Sequence, residues 1–236
     1  MWLSATNLSC THGFSTRYGG VSTTPFNSLN LGGSEDRSEN IENNRKIALG
    51  ALKLSVESLC VLKQVHGVEV CNAARGSNAG DALVTNDKNL ILAVSTADCY
   101  PVLFYDDDNK VIGAAHAGWR GTVNGIAANV VKAMQLLGAE PARIKVAIGQ
   151  GISKQNFHVG EEVIQQFREK NFPESCWTEN KVDLIKCNSH VLIQNKILER
   201  NIFALNRCSF EEDFFSYRRD KGITGRMWGL ISMKTK

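Results

Sequence analysis

Between residues 90 and 121 the chain reads LILAVSTADCYPVLFYDDDNKVIGAAHAGWRG, three apolar runs separated by short polar breaks. A strand with one wet face alternates apolar and polar side chains. The runs at 90–96, 101–105 and 111–116 do not alternate, so both of their faces are predicted to be covered. The cluster DDDNK between the last two runs is a turn signal, and 101–105 with 111–116 is predicted to be a hairpin. Further short apolar runs at 59–62, 144–148, 202–205 and 227–231 are expected strands.

Helices show up by their period. From Val123 the positions Ile126, Ala127, Val130, Val131, Met134 and Leu137 follow the spacing of one buried face, and Gly138 supplies a stop. A second helix is expected over 38–53, with Ser38 as N-cap and Ile41, Ala48 and Leu52 inward. A third runs from about Glu161 to Lys170 around Val163, Ile164 and Phe167. A fourth starts at Asp183 as N-cap and carries Leu184, Cys187, Val191 and Leu198 on one face. Strands and helices mix without regular βαβ alternation. That favours mixed sheets with flanking helices, an α+β class, over a doubly wound parallel sheet. No repeat or Pro-rich linker divides the 236 residues, so one domain over 1–236 is expected.

Composition removes several functions. A net charge of +3 is too small to argue for nucleic acid or an anionic membrane. No apolar run reaches the length of a spanning helix, and MWLSATNLSCTHGFSTR does not read as a secretory signal. The seven cysteines contain no CxxC pair, which fits reduced thiols in the cytoplasm better than a disulfide framework.

Three side chains carry the strongest chemical signal: His66 in QVHG, Cys99 in TADC and His116 in AAHAG. Small residues follow both histidines and allow close approach to the backbone. Two imidazoles and a thiolate suit zinc, and three protein ligands leave a fourth position open for chemistry. The same residues admit a metal-free reading, with Cys99 as nucleophile and His116 as base. They also admit a plain one, a packed thiol and hydrogen-bonded strand-end histidines. Asp98, beside Cys99, is a candidate proton donor or substrate partner, or else an ordinary turn residue.

Arg17 in STRYGGVS, Arg45 in ENNRK, Arg120 in GWRG and Arg218 in FFSYRRD are candidate oxyanion partners. Arg219 reads as the more solvated of the doubled arginines. At least two rings of FFSY read as core.

These motifs occur together and in order: STRYGGVS, SLNLG, ENNRK, QVHG, GDALVT, TADCYPVLFYD, AAHAGWRGTV, VGEEV and FFSYRRDKGITGRM. The set resembles the YfiH family, also called the polyphenol oxidase or multicopper-oxidase laccase-domain family, over about residues 11–231. The resemblance implies two mixed sheets packed together between helices, in α/β/β/α layers. It implies a zinc site on His66, Cys99 and His116. It further implies phosphorolysis of adenosine, inosine and methylthioadenosine, with adenosine deamination besides. A purine nucleoside and phosphate would be the partners, with no nucleic acid or membrane. Asp98 then becomes a catalytic candidate with the three ligands, and Arg17 and Arg45 become the phosphate candidates.

A role in peptidoglycan-precursor editing, attached to relatives, would suit the cysteine-hydrolase or amidase alternative. A structural zinc in a binding protein is a third reading, which three ligands rather than four argue against. Copper is disfavoured, because one Cys and two conspicuous His among only five His cannot build several copper sites. The chain departs from the family pattern at Gln150 and His158, where relatives carry Pro and Glu. That leaves His158 as a further metal-proximal candidate or a neutral surface change.

Overall fold

The computed structural model describes residues 1–33, 35–73 and 76–234. The first half of the chain gives β1 (Trp2–Leu3), β2 (Thr11–Ser15), α1 (Ser38–Gly50), β3 (Leu59–Lys63), β4 (Val70–Asn72), β5 (Gly76–Ala79), β6 (Ala82–Thr85), β7 (Ile91–Thr96), β8 (Tyr100–Asp106) and β9 (Val111–Ala117). The second gives α2 (Trp119–Val123), α3 (Ile126–Leu136), β10 (Lys145–Ile148), α4 (Glu161–Glu169), β11 (Trp177–Thr178), β12 (Lys181–Val182), α5 (Leu184–Gln194), β13 (Ile202–Ala204) and β14 (Met227–Ser232). One six-stranded sheet has the order β1-β2-β14-β7-β3-β5, and a second has the order β13-β10-β8-β9-β6-β4. Both are mixed: β3 runs parallel to β5 and β7, β10 to β13 and β4 to β6, while the other pairs are antiparallel.

Burial explains the missing alternation. In β8, Val102 and Phe104 join the core under α2–α5, while Leu103 and Tyr105 join the core between the sheets. In β7, Leu92 and Val94 face that same inter-sheet core, while Ile91 and Ala93 pack with Ala48 and Leu49 of α1. Each strand still alternates, but between two apolar layers rather than between protein and water. The layers are α1, first sheet, second sheet, then α2–α5.

The expected hairpin forms as β8–β9, pairing Tyr100 with Ala117 and Pro101 with His116. The expected helix from Val123 is divided. Gly125 adopts φ +83°, a left-handed conformation that ends α2 and lets α3 start in a new direction. Gly138, at φ +98°, terminates α3 as expected. Ser38 is the first residue inside α1 rather than its cap; Arg37 holds the cap position without a side-chain bond. Leu52 lies in the turn beyond α1, and Leu198 lies beyond α5. Asp183 does cap α5, accepting from Lys186 N at 3.0 Å. The short strands β1, β2, β4, β5, β6, β11 and β12 have no counterpart among the expected ones.

The two sheets pack closely at glycines. A Cβ on Gly229 would overlap Pro101 Cβ, and one on Gly149 would overlap the Phe14 ring. Gly229→Ala is predicted to lower stability by about 1–3 kcal/mol through overpacking. Gly50→Ala, at a helical position with nothing within 4 Å, is predicted to be neutral or to add up to about 1 kcal/mol. Urea unfolding of the two variants checks both.

Candidate metal centre

His66, Cys99 and His116 come from three different parts of the fold. His116 lies near the end of β9, on the same parity as Ile112 and Ala114, and is 3 % exposed. Cys99 sits immediately before β8, so the hairpin register brings it beside Gly118. His66 lies on the connection from β3 in the first sheet to β4 in the second, with φ +60°. Their ligand atoms all lie within 4.8 Å of one another. The two imidazole rings meet edge to face at a centroid distance of 4.8 Å.

Asp81, fully buried before β6, holds this arrangement. Its Oδ1 accepts from His116 Nδ1 at 2.9 Å and from His66 N at 3.0 Å. Its Oδ2 accepts from Gly67 N at 2.6 Å and Val65 N at 3.3 Å. Burial alone would raise the Asp81 pKa, but the bonds from His116 and the 65–67 backbone outweigh it and hold the carboxyl below its usual range. One carboxylate thus fixes the His66 loop and the His116 tautomer together. With Nδ1 engaged, His116 offers Nε2 to a ligand, the usual orientation of a metal-binding imidazole.

The thiol responds to the same neighbours. Burial pushes the Cys99 pKa up, yet His116 and His66 beside the sulfur bring it down to about 6. Burial disfavours the charged form of His116, yet Cys99 and Asp81 raise it to about 9. Without metal, the neutral-pH state is a thiolate beside an imidazolium. Gly118 leaves room for the sulfur: a Cβ there would lie 2.9 Å from Cys99 Sγ and 3.7 Å from His66 Cδ2. Two imidazoles and a thiolate, oriented by a buried carboxylate, fit a borderline cation such as zinc.

The centre opens into a cavity of about 830 Å³. Of the arginines singled out in the sequence, Arg45, Arg120 and Arg218 line it. Arg17 is not among the lining residues. Its guanidinium instead bonds Asn27 O at 2.8 Å and lies 4.7 Å from the Phe215 ring centroid.

Asp98 borders the cavity at φ +90°, with its carboxylate committed to three donors. Ser209 Oγ and Ser216 Oγ reach it at 2.6 Å each, and Arg218 N at 2.7 Å. That geometry ties down the 209–218 loop. His158 is exposed and outside the converging group; its carbonyl accepts from Arg218 Nη1 at 2.6 Å. Gln150 is buried and bonds Ser15 O at 3.1 Å.

Phe214 and Phe215 are core, while Tyr217 is exposed and lines the cavity. Of the doubled arginines, Arg219 is not the solvated one expected. Arg219 is the structural one, bonding the carbonyls of Ser209, Glu211 and Phe214, whereas Arg218 is exposed. Sequence reading missed Asp81, Ser95 and Arg226. A Gly-Asp pair before an apolar run reads as a turn, and only the fold turns this carboxylate inward.

Two packed mixed sheets with a Cys/His/His cluster at the base of a cavity define a laccase-domain type of protein. The profile of the multi-copper polyphenol oxidoreductase laccase family matches residues 11–234. The chain belongs to this family, and YfiH and YlmD proteins are among its relatives. It is 44% identical to a protein named purine nucleoside phosphorylase from Deinococcus radiodurans, covering 98% of this chain and 92% of that one. It is 36% identical to Escherichia coli purine nucleoside phosphorylase YfiH, covering 92% and 91%. The crystal structure of YlmD from Geobacillus stearothermophilus superposes with a TM-score of 0.92 at 32% identity, covering 98% and 94%.

Two outcomes are predicted. In metal-stripped protein, alkylation of Cys99 by iodoacetamide, followed by peptide mass spectrometry, rises with a midpoint near pH 6. His116→Asn moves that midpoint upward, because the partner that favours the thiolate is gone. Asp81→Asn weakens metal binding by roughly 10–100-fold in a competitive chelator titration, the usual cost of losing a partner behind a ligand.

Proposed function

We propose that the protein is a zinc-dependent purine nucleoside phosphorylase that also deaminates adenosine. Adenosine, inosine or methylthioadenosine and phosphate would give the free base and the sugar 1-phosphate. The observation that carries this reading is the His66/Cys99/His116 centre at the base of an arginine-lined cavity. The names of the relatives support the phosphorylase part.

Phosphorolysis breaks the bond from C1′ to the purine nitrogen and forms a bond from C1′ to a phosphate oxygen. The residues present match its needs. Trp119, Phe157 and Tyr217 offer ring faces for a planar base. Arginines supply charge for the phosphate. His66, Cys99 and His116 would hold the zinc, which when bound supplies Lewis acidity and an activated water for deamination. Cys99, as a thiolate, and His116, as a neutral imidazole, are the forms such a centre requires, so loading it displaces the His116 proton below about pH 9 and the Cys99 proton as well below about pH 6, and binding weakens as the pH falls through each. Asp98 acts as a positioning residue for the loop that carries Tyr217 and Arg218.

Among the described residues one such His/Cys group converges, which suits a single metal rather than a multicopper array. No described helix is long and apolar enough to cross a membrane. A cytoplasmic site of action fits seven free thiols.

One observation favours a second reading. A Cys99 pKa of about 6 beside His116 is also the pattern of a cysteine nucleophile with its base, as in a hydrolase or amidase. Elemental analysis and an assay with adenosine and phosphate separate the two. The phosphorylase reading predicts about one zinc per chain and phosphate-dependent release of adenine. It also predicts that Cys99→Ala or His116→Ala lowers that release by at least roughly 100-fold. Metal-free protein with full activity and a covalent thiol adduct would overturn it.

A further inference from the structure

Arg45 and Arg226 are both bonded to one short segment of chain, Asn30–Leu31, and Arg226 also lies 5.8 Å from the Tyr217 ring centroid. Arg45 Nε donates to Leu31 O at 3.0 Å. Leu31 N donates to Arg226 O at 2.9 Å, and Arg226 N donates to Asn30 Oδ1 at 2.8 Å. The Arg226 guanidinium is anchored through Nη1 alone, to Thr224 O at 2.8 Å and Gly225 O at 3.1 Å. Each guanidinium therefore spends one nitrogen on backbone carbonyls and keeps two without a hydrogen-bond acceptor among the described residues.

Neither side chain forms an ion pair among the described residues, although Arg143, Arg168, Arg207 and Arg219 all do. Both are half-buried and both line the large cavity. Burial outweighs Glu42 and lowers the Arg45 pKa, as expected for a charge withdrawn from water without a close counter-ion. Such a pair calls for an anion from outside the chain.

Ser95 completes the group. Its Oγ accepts from Trp228 Nε1 at 3.1 Å, and its backbone is fixed on both sides by Gln64. No acceptor for the Ser95 hydroxyl proton exists among the described residues, and Ser95 lines the cavity. Gly32 lies between the two: a Cβ there would stand 3.2 Å from Ser95 Oγ and 3.7 Å from Arg226 Cβ. The missing side chain keeps the space open. Trp228, which bonds Ser95, also carries the Arg45 guanidinium 5.3 Å from its ring centroid.

We infer that Arg45, Arg226 and the Ser95 hydroxyl form a subsite for a tetrahedral oxyanion, inorganic phosphate, on the first-sheet wall of the cavity. Two forks of open N–H groups and one O–H match the oxygens of phosphate. None of these three residues belongs to the converging group His66, Cys99 and His116. The inference deepens the phosphorylase reading and rests on it for the role of phosphate as co-substrate. The oxyanion site itself stands on the geometry alone.

The test is direct binding of inorganic phosphate to the metal-replete full chain, by equilibrium dialysis with and without adenosine. Arg226→Met, Arg45→Met and Ser95→Ala are compared with the surface variant Arg143→Met, and thermal melts confirm that each is folded. Either arginine variant is expected to raise the phosphate Kd by at least roughly tenfold, the worth of a charge-assisted pair of bonds, and Ser95→Ala by less. Arg226→Lys, which keeps the charge but not the fork, recovers part of the loss. Metal content and the Cys99 alkylation midpoint stay unchanged in all of them.

Wild-type protein that binds no phosphate, or arginine variants that bind it as well as wild type, would overturn the subsite. The phosphorylase reading fails separately. If no nucleoside is cleaved but the arginine variants still lose phosphate, the subsite stands and its assigned role falls.

Discussion

One buried carboxylate connects the two halves of the site. Asp81 accepts hydrogen bonds from the backbone of Val65, His66 and Gly67 on the loop that crosses between the sheets, and from the ring of His116 on β9. An unpaired carboxylate in such a place would cost several kcal/mol. Four N–H donors remove that cost and turn it into orientation. His66 stays in a left-handed conformation because the bonds on either side of it hold the loop there. His116 keeps a single tautomer because Asp81 occupies its Nδ1. The Cys99 thiolate and the His116 imidazolium support each other: Cys99 first and Asp81 second raise His116 to about 9, and His116 with His66 brings Cys99 down to about 6.

The layered fold explains why this centre can be both rigid and reachable. The strands around it are covered on both faces, and glycines at 149 and 229 allow the sheets to meet closely over Pro101. Just past that contact, at the ends of β8 and β9, the sheets give way to a cavity of about 830 Å³. Its walls come from both sheets. The second brings Cys99 and His116, the crossing loop brings His66, β7 brings Ser95, α1 brings Arg45 and the segment before β14 brings Arg226. A floor of rigid strands and a rim of loops is the common arrangement for a small-molecule site.

Much of this was legible in the sequence, for identifiable reasons. Helical periods gave α1, α4 and α5 to within a few residues, because each buries one face. The unalternating runs correctly implied strands covered on both sides. Periodicity alone predicts one continuous helix over 123–137, because it does not register a left-handed Gly125. The strands β2, β4 and β6 were too short or too mixed to stand out; THGFS shows no apolar run although all five residues are buried. At the site, the small residues around His66 and His116 were a real signal. Asp81 and Arg226 were silent because a buried carboxylate and a cavity arginine look like a turn residue and a surface residue until the fold brings their partners. Arg17 and Arg45 look alike in sequence; the fold sets Arg45 in the cavity lining and ties Arg17 to Asn27 and the Phe215 ring.

Asp81 orients His66 and His116 around the Cys99 sulfur as one metal centre. X-ray absorption at the metal edge of the purified protein is the test: one sulfur ligand at about 2.3 Å and two imidazole nitrogens at about 2.0–2.1 Å are expected, with the remaining position taken by a light atom. A metal shell without sulfur, or with more than one, would contradict it.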